Sequence, residues 1–146
     1  MKKLLTISLI SLSLTIVACG SKKVVESTYD NGNPNVVHYY KKVKGEKVLA
    51  REEIFYEKGS KKMAGAFTEN QRDGVWKAWY EDGTLWSEGV YKNGKRNGPG
   101  TTYHPNGKKY IEGNYNDDVQ VGIWKIWDEN GNLEKEVNYD SIPALK

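Results

Sequence analysis

The chain has 146 residues, room for one domain, and 38% of them are hydrophobic, with much of that share in the first 18 positions. What remains is poor in aliphatics and holds five Trp, ten Tyr and two Phe instead, which excludes a thick globular core and suits a thin sheet with half-wet faces. The net charge of +3 includes Lys2 and Lys3 of the leader; the balance is too weak for a nucleic-acid-binding face.

Lys2 and Lys3 precede an apolar run from Leu4 to Val17, broken only by Ser and Thr. A bilayer span needs about 20 apolar residues, so this shorter run reads as the helical core of an export signal over residues 1–18. It ends in Ile16-Val17-Ala18-Cys19-Gly20. That string resembles the bacterial lipobox. The resemblance implies that the Cys19 thiol takes a diacylglycerol and that the Ala18–Cys19 bond is cut. An ordinary leader followed by a chance cysteine is the alternative. Cys19 is the only cysteine, so it forms no intramolecular disulfide. Two or three acyl chains, at ~0.8 kcal/mol per buried methylene, anchor stably where one is marginal. Gly20 stands where an Asp would favour inner-membrane retention, so in a two-membrane host the expected location is the outer membrane. Residues 19–28 are expected to form a flexible tether.

Beyond the tether the chain repeats every 24 residues. Gly59, Gly83, Gly107 and Gly131 keep that spacing, as do Phe55, Trp79, Tyr103 and Trp127. Phe67, Tyr91, Tyr115 and Tyr139 form a third column, and Gly65, Gly89 and Gly113 a fourth that ends in Val137. The units run over about 29–50, 51–73, 74–97, 98–121 and 122–140, with a tail at 141–146. The first is irregular: Tyr29 and Gly32 precede Tyr56 and Gly59 by 27 residues. The three extra residues are expected in a loop over 41–47.

Within a unit, residues 75–80 and 85–91 read as strands around Asp82-Gly83. Asn106-Gly107 and Asn130-Gly131 occupy the same place in later units. Such pairs favour type I′ turns, in which both central residues have positive φ. Alternation sets Trp76, Ala78 and Tyr80 on one face and Lys77 and Trp79 on the other. The predicted fold is therefore all-β, an elongated antiparallel meander of tandem hairpins. Trp79, Tyr103 and Trp127 are expected to stack as one ladder, and Tyr91, Tyr115 and Tyr139 as another. Single hairpins are marginal, so stability must come from stacked units. First-unit lysines and Pro143 are expected to guard the exposed edges.

The string Gly74-x-Trp76-x-x-Trp79-Tyr80-x-x-Gly83-x-Leu85, with Glu88-Gly89-Val90-Tyr91-Lys92-Asn93-Gly94, resembles the variant MORN repeat. The resemblance covers residues 51–140 well and 29–50 less closely. It implies hairpins in an elongated sheet that serves as a binding or scaffold module. Chains of this kind are often labelled antitoxins of toxin–antitoxin systems, and an exported chain fits an envelope immunity protein better. The Gly98-Pro99-Gly100 unit departs from the pattern by lacking the Trp.

Signals for catalysis are poor. His38 and His104 lie in different units, and His104 fills a Tyr column. Glu81-Asp82, Asp117-Asp118 and Asp128-Glu129 pair carboxylates, but the first and last fall at turns, where acids are simply solvated. No phosphate-cradling motif follows the glycine-rich stretch at 97–100. Lysines 41, 42, 44, 47, 58, 61 and 62 are a candidate membrane-surface patch, although a solvated face is the plainer reading. The expectation is a non-enzyme without cofactor other than the Cys19 lipid, tethered at the envelope and binding a protein partner. Trp76, Trp79, Trp86, Trp124 and Trp127 are the candidate contact residues. A glycan- or peptidoglycan-binding module is the alternative, since regularly spaced rings stack sugars.

Overall fold

Short aromatic and β-branched runs between turn residues dictate strands. The computed structural model describes residues 20–141 and has ten of them. They are β1 (Lys22–Thr28), β2 (Pro34–Val43), β3 (Glu46–Phe55), β4 (Lys61–Thr68) and β5 (Gln71–Trp79), then β6 (Leu85–Lys92), β7 (Lys95–Tyr103), β8 (Lys109–Asn116), β9 (Val119–Trp127) and β10 (Leu133–Asn138). Each pairs with its neighbours in the chain, giving one antiparallel meander in the order β1 to β10. A 3-10 turn, Tyr139–Ser141, follows β10. The leader, Ala18, Cys19 and Pro143 lie outside the described residues.

Two kinds of turn alternate along the meander. On one rim, Lys44-Gly45, Glu69-Asn70, Asn93-Gly94 and Asp117-Asp118 each have two positive-φ residues, as in type I′ turns. On the other rim the loops are longer. The Tyr80 N–H donates to Thr84 O and the Gly83 N–H donates to Tyr80 O, and the same pair of bonds recurs in the loops that start at Tyr29, Tyr56, His104 and Asp128. There only the glycine has positive φ, 91° at Gly83. The type I′ expectation for Asp82-Gly83, Asn106-Gly107 and Asn130-Gly131 is thus corrected: each belongs to a three-residue loop whose glycine closes a type I turn. The Asp82 carboxylate stabilises that loop by accepting from the Thr84 N–H at 2.8 Å.

Two further expectations change. Lys22–Thr28 is strand β1 rather than tether, because its extended Val24-Val25 segment pairs with Val37 and His38 of β2. Tyr40 also donates from its hydroxyl to Glu26 across that pair at 2.8 Å. The extra residues of the first unit lengthen strands instead of a loop: β2 and β3 have ten residues each, against eight and nine in β4 and β5.

Cross-strand register explains where the rings go. Gly65, Trp76, Gly89, Gly100 and Gly113 face one another in one row, on β4 to β8. Met63, Ala78, Ser87, Thr102, Ile111 and Ile126 make the next row on the same face. The indole of Trp76 covers Gly65 and that of Trp124 covers Gly113; a Cβ on either glycine would fall inside the ring. Both tryptophans are buried on this face with Ala78, while Val37 and Ala64 are buried on the other face, in one row with Glu53.

The ladders do not form as expected. Residues 24 apart in hairpin repeats lie two strands apart, about 9.5 Å, too far for ring contact at about 4.5–7 Å. Instead each tryptophan bridges two rings of the third column. Trp76 meets Phe67 and Tyr91 edge-on, at 5.4 and 6.2 Å between centroids. Trp124 meets Tyr115 and Tyr139 at 4.9 and 5.9 Å.

Candidate binding site

Between these two ring clusters the layer is broken. Gly100 holds the position, 24 residues from each, that Trp76 and Trp124 hold in the flanking units. The result is a cleft of about 200 Å³ with Gly89 and Gly100 in its floor. Trp76 and Tyr91 wall it from β5 and β6, and Tyr115 and Trp124 from β8 and β9. Trp86, the extra residue of a bulge where β5 pairs with β6, also lines it. The Tyr115 ring leans toward Gly100, so that a Cβ there would lie 3.1 Å from Tyr115 Cε2.

Two arginines from one repeat column stand over the cleft. The Arg72 guanidinium lies 4.0 Å from the centroid of the Trp76 ring. Arg96, one unit on, has no indole to stack on. It donates to the Tyr91 and Tyr115 hydroxyls at 3.4 and 2.9 Å, tying the two clusters together across the gap. The hydrogen bond to Tyr91, more than any other contact, holds the guanidinium firmly protonated. Two polar atoms of the lining, Thr102 Oγ1 and Trp124 Nε1, are buried without a hydrogen-bond partner among the described residues.

The five tryptophans singled out above divide by position. Trp76 and Trp124 are 4% and 6% exposed and serve as walls. Trp86 is 45% exposed and open to a partner. Trp79 and Trp127 are half-buried, with the ammonium groups of Lys61 and Lys109 5.8 and 5.7 Å from their centroids. Sequence spacing missed Arg72 and Arg96. Their 24-residue separation, and the Gly at position 100 of a Trp column, were the signals available.

The other titratable groups are structural. His38 Nε2 lies 2.9 Å from Glu52, and His104 Nε2 donates to Trp127 O at 2.9 Å. Burial alone would raise the Glu53 carboxyl, but donors on Lys61, Arg51 and Tyr39 hold it below the ordinary glutamate range. All three carboxylate pairs sit at turns. Of the seven lysines in the candidate membrane patch, Lys58 and Lys61 pair with Glu81 and Glu53, and Lys47 and Lys62 lie over Tyr40 and Tyr56.

The repeat of rings, turns and glycines is similar to a known repeat type over part of the chain. The MORN repeat variant matches residues 72–93, 96–117 and 120–141. These matches fall on β5–β6, β7–β8 and β9–β10, so each repeat is one hairpin. MORN repeats are generally non-catalytic and often act as protein- or membrane-binding modules. No curated protein matches the chain. A solved GtfA/B complex bound to UDP and GlcNAc matches at a TM-score of 0.32 and 11% identity, over 81% of this chain and 24% of that one. This chain spans about a quarter of the length of that protein, and the likeness carries no argument about fold or function.

Proposed function

We propose that the protein is a non-catalytic binding module, exported and anchored through lipid on Cys19, whose ring face takes a protein partner at the cell envelope. The observation that carries the binding half is the open aromatic cleft at Gly89 and Gly100, in a layer otherwise filled by the chain's own indoles. The anchoring half rests on Ile16-Val17-Ala18-Cys19. Two residues, Gly20 and Ser21, separate Cys19 from the start of β1 at Lys22, a reach of about 10 Å across the three Cα–Cα steps when extended. A lipid there holds the first strand close to the membrane. Strand β7 lies six strand spacings further on, about 29 Å along the sheet.

The reading is tested on the chain isolated from the envelope of its host. The expected intact mass is that of a chain beginning at Cys19 and carrying diacylglycerol, and Cys19→Ala should leave the leader in place and the lipid off. A native chain that retains its leader without lipid would overturn the anchor. For the binding half, the protein should retain an envelope protein and not purified cell wall. Retention on wall alone would replace the protein partner with a glycan.

A further inference from the structure

Gly65, Gly89 and Gly113 are equivalent positions, 24 residues apart, yet they meet different surroundings. Trp76 roofs the first and Trp124 the third. Above Gly89 there is no ring: a Cβ there would meet nothing nearer than Pro99 O at 3.9 Å and Gly100 Cα at 4.0 Å. Gly89 is also not at positive φ, so its backbone does not require glycine. It is a ring seat without a ring. The indole that the repeat would supply is the one missing at position 100.

None of the rings among the described residues fills it. Residues 1–19 and 142–146 contain no Phe, Tyr or Trp, and the rings within the sheet are fixed by their strands. A ring carried by another molecule would fit it.

Charge narrows what that molecule carries. The chain has three arginines, and Arg51 pairs with Glu53 at 2.9 Å. Arg72 and Arg96, the two at the cleft, form no ion pair among the described residues. Each lies over a ring, 4.0 Å from the Trp76 centroid and 5.0 Å from that of Tyr115. Arg96 gives its Nε hydrogen and one Nη1 hydrogen to the two hydroxyls, and its remaining Nη1 and Nη2 hydrogens can still take a carboxylate in two parallel hydrogen bonds. A sugar would draw instead on Ser87, Glu88, Thr101 and Thr102, which also line the cleft; the two guanidinium groups without an acid favour an acidic partner.

We propose that the seat over Gly89 receives an aromatic side chain of a partner protein, with an Asp or Glu close to it in sequence that Arg72 and Arg96 take. The proposal rests on the reading of the sheet as a binding module and names the chemistry of its partner.

The test uses the full chain in detergent and the capped tripeptides Asp-Trp-Asp, Asp-Ala-Asp and Lys-Trp-Lys, with N-acetylglucosamine as the sugar arm. Binding is followed by the amide NMR signals of Gly89 and Gly100. Asp-Trp-Asp is expected to saturate and to shift both signals, while the other three bind at least tenfold more weakly. Gly89→Ile puts a side chain in the seat, where its Cβ meets nothing nearer than 3.9 Å, and should weaken Asp-Trp-Asp at least tenfold, with the remaining amide spectrum unchanged. Gly100→Trp should do the same by restoring the chain's own ring, once Tyr115 yields by a few tenths of an ångström. Arg72→Gln with Arg96→Gln should erase the preference for Asp-Trp-Asp over Lys-Trp-Lys and keep the ring requirement. Undiminished binding to Gly89→Ile would overturn the proposal. So would shifts caused by N-acetylglucosamine instead of tryptophan, or a seat already filled by a second copy at working concentration. Capture of a partner on this face in cells, with no ring peptide bound here, would sink the seat and leave the module standing.

Discussion

The hydroxyl of Tyr80 donates to the carbonyl of Tyr103, 2.9 Å away and in the next unit. Tyr29 reaches Phe55 O and Tyr56 reaches Trp79 O in the same way, at 2.8 and 2.9 Å. His104 continues the series onto Trp127 O. Each loop on this rim is thereby fastened to the strand end of the unit that follows. The series stops at Asp128, whose carboxylate instead accepts from Asn130 and Asn132 in its own loop. Among the described residues this is the last loop of the series, and it closes on itself.

Breaking one fastener should show directly in stability. Tyr80→Phe removes a half-buried hydrogen bond and is expected to cost about 0.5–1.5 kcal/mol in urea unfolding. His104→Tyr keeps a donor in the same column and should stay within about 0.5 kcal/mol of the parent, whereas His104→Phe should cost as much as Tyr80→Phe. A costless Tyr80→Phe would remove the fasteners from the account of stability.

The three ring-seat glycines should respond in opposite directions. Gly65→Ala and Gly113→Ala push a methyl into a buried indole, and overpacking of this kind costs about 1–3 kcal/mol or more. Gly89→Ala meets open space in ordinary strand backbone and should stabilise by about 0.4–1 kcal/mol through the unfolded chain. Unfolding midpoints of the three variants, side by side, decide it.

Tryptophan replacements should separate wall from surface. Trp76→Ala and Trp124→Ala each empty a buried site and should cost about 3–5 kcal/mol. Trp86→Ala, nearly half exposed, should cost under about 1 kcal/mol. Trp86 is therefore the replacement that can report on binding without unfolding the sheet.

Glu53 predicts an acid limb. It is 8% exposed and receives donors from Tyr39, Arg51 and Lys61 at 2.8–2.9 Å. Burial opposes its charge, but these donors prevail and depress its folded pKa below the unfolded value. Its contribution is then complete above the unfolded value and is lost as the pH falls through the folded one. Glu53→Gln should cost about 1–3 kcal/mol near neutral pH and converge on the parent in acid. A cost that persists unchanged in acid would assign Glu53 a packing role only.

How much of this was legible in the sequence depends on what spacing encodes. The columns at Gly59, Phe55 and Phe67 fixed hairpins and an all-β meander, because a period shared by several columns has few other realisations. Spacing alone does not say how many strands separate two members of a column, so the ladder through Trp79, Tyr103 and Trp127 was misread. Asp82-Gly83 and Asn93-Gly94 look alike as dipeptides, yet one closes a three-residue loop and the other a two-residue turn. Lys22–Thr28 was hidden by its charges, since an edge strand half in water shows little apolar alternation. The cleft was visible only as an omission, Gly100 where a Trp recurs, and its meaning needed the cross-strand register that sets Gly89 beside it.

The central claim is that the broken ring layer is the face on which the partner lands. The direct measurement is photo-crosslinking in intact cells from a reactive side chain placed at Trp86, on the cleft, and in parallel from one placed at Lys125, which pairs with Glu136 at 3.3 Å on the opposite face. Capture of one envelope protein from position 86, and none of it from position 125, is the result expected. Equal capture from both faces, or only lipid and wall material from position 86, would contradict it.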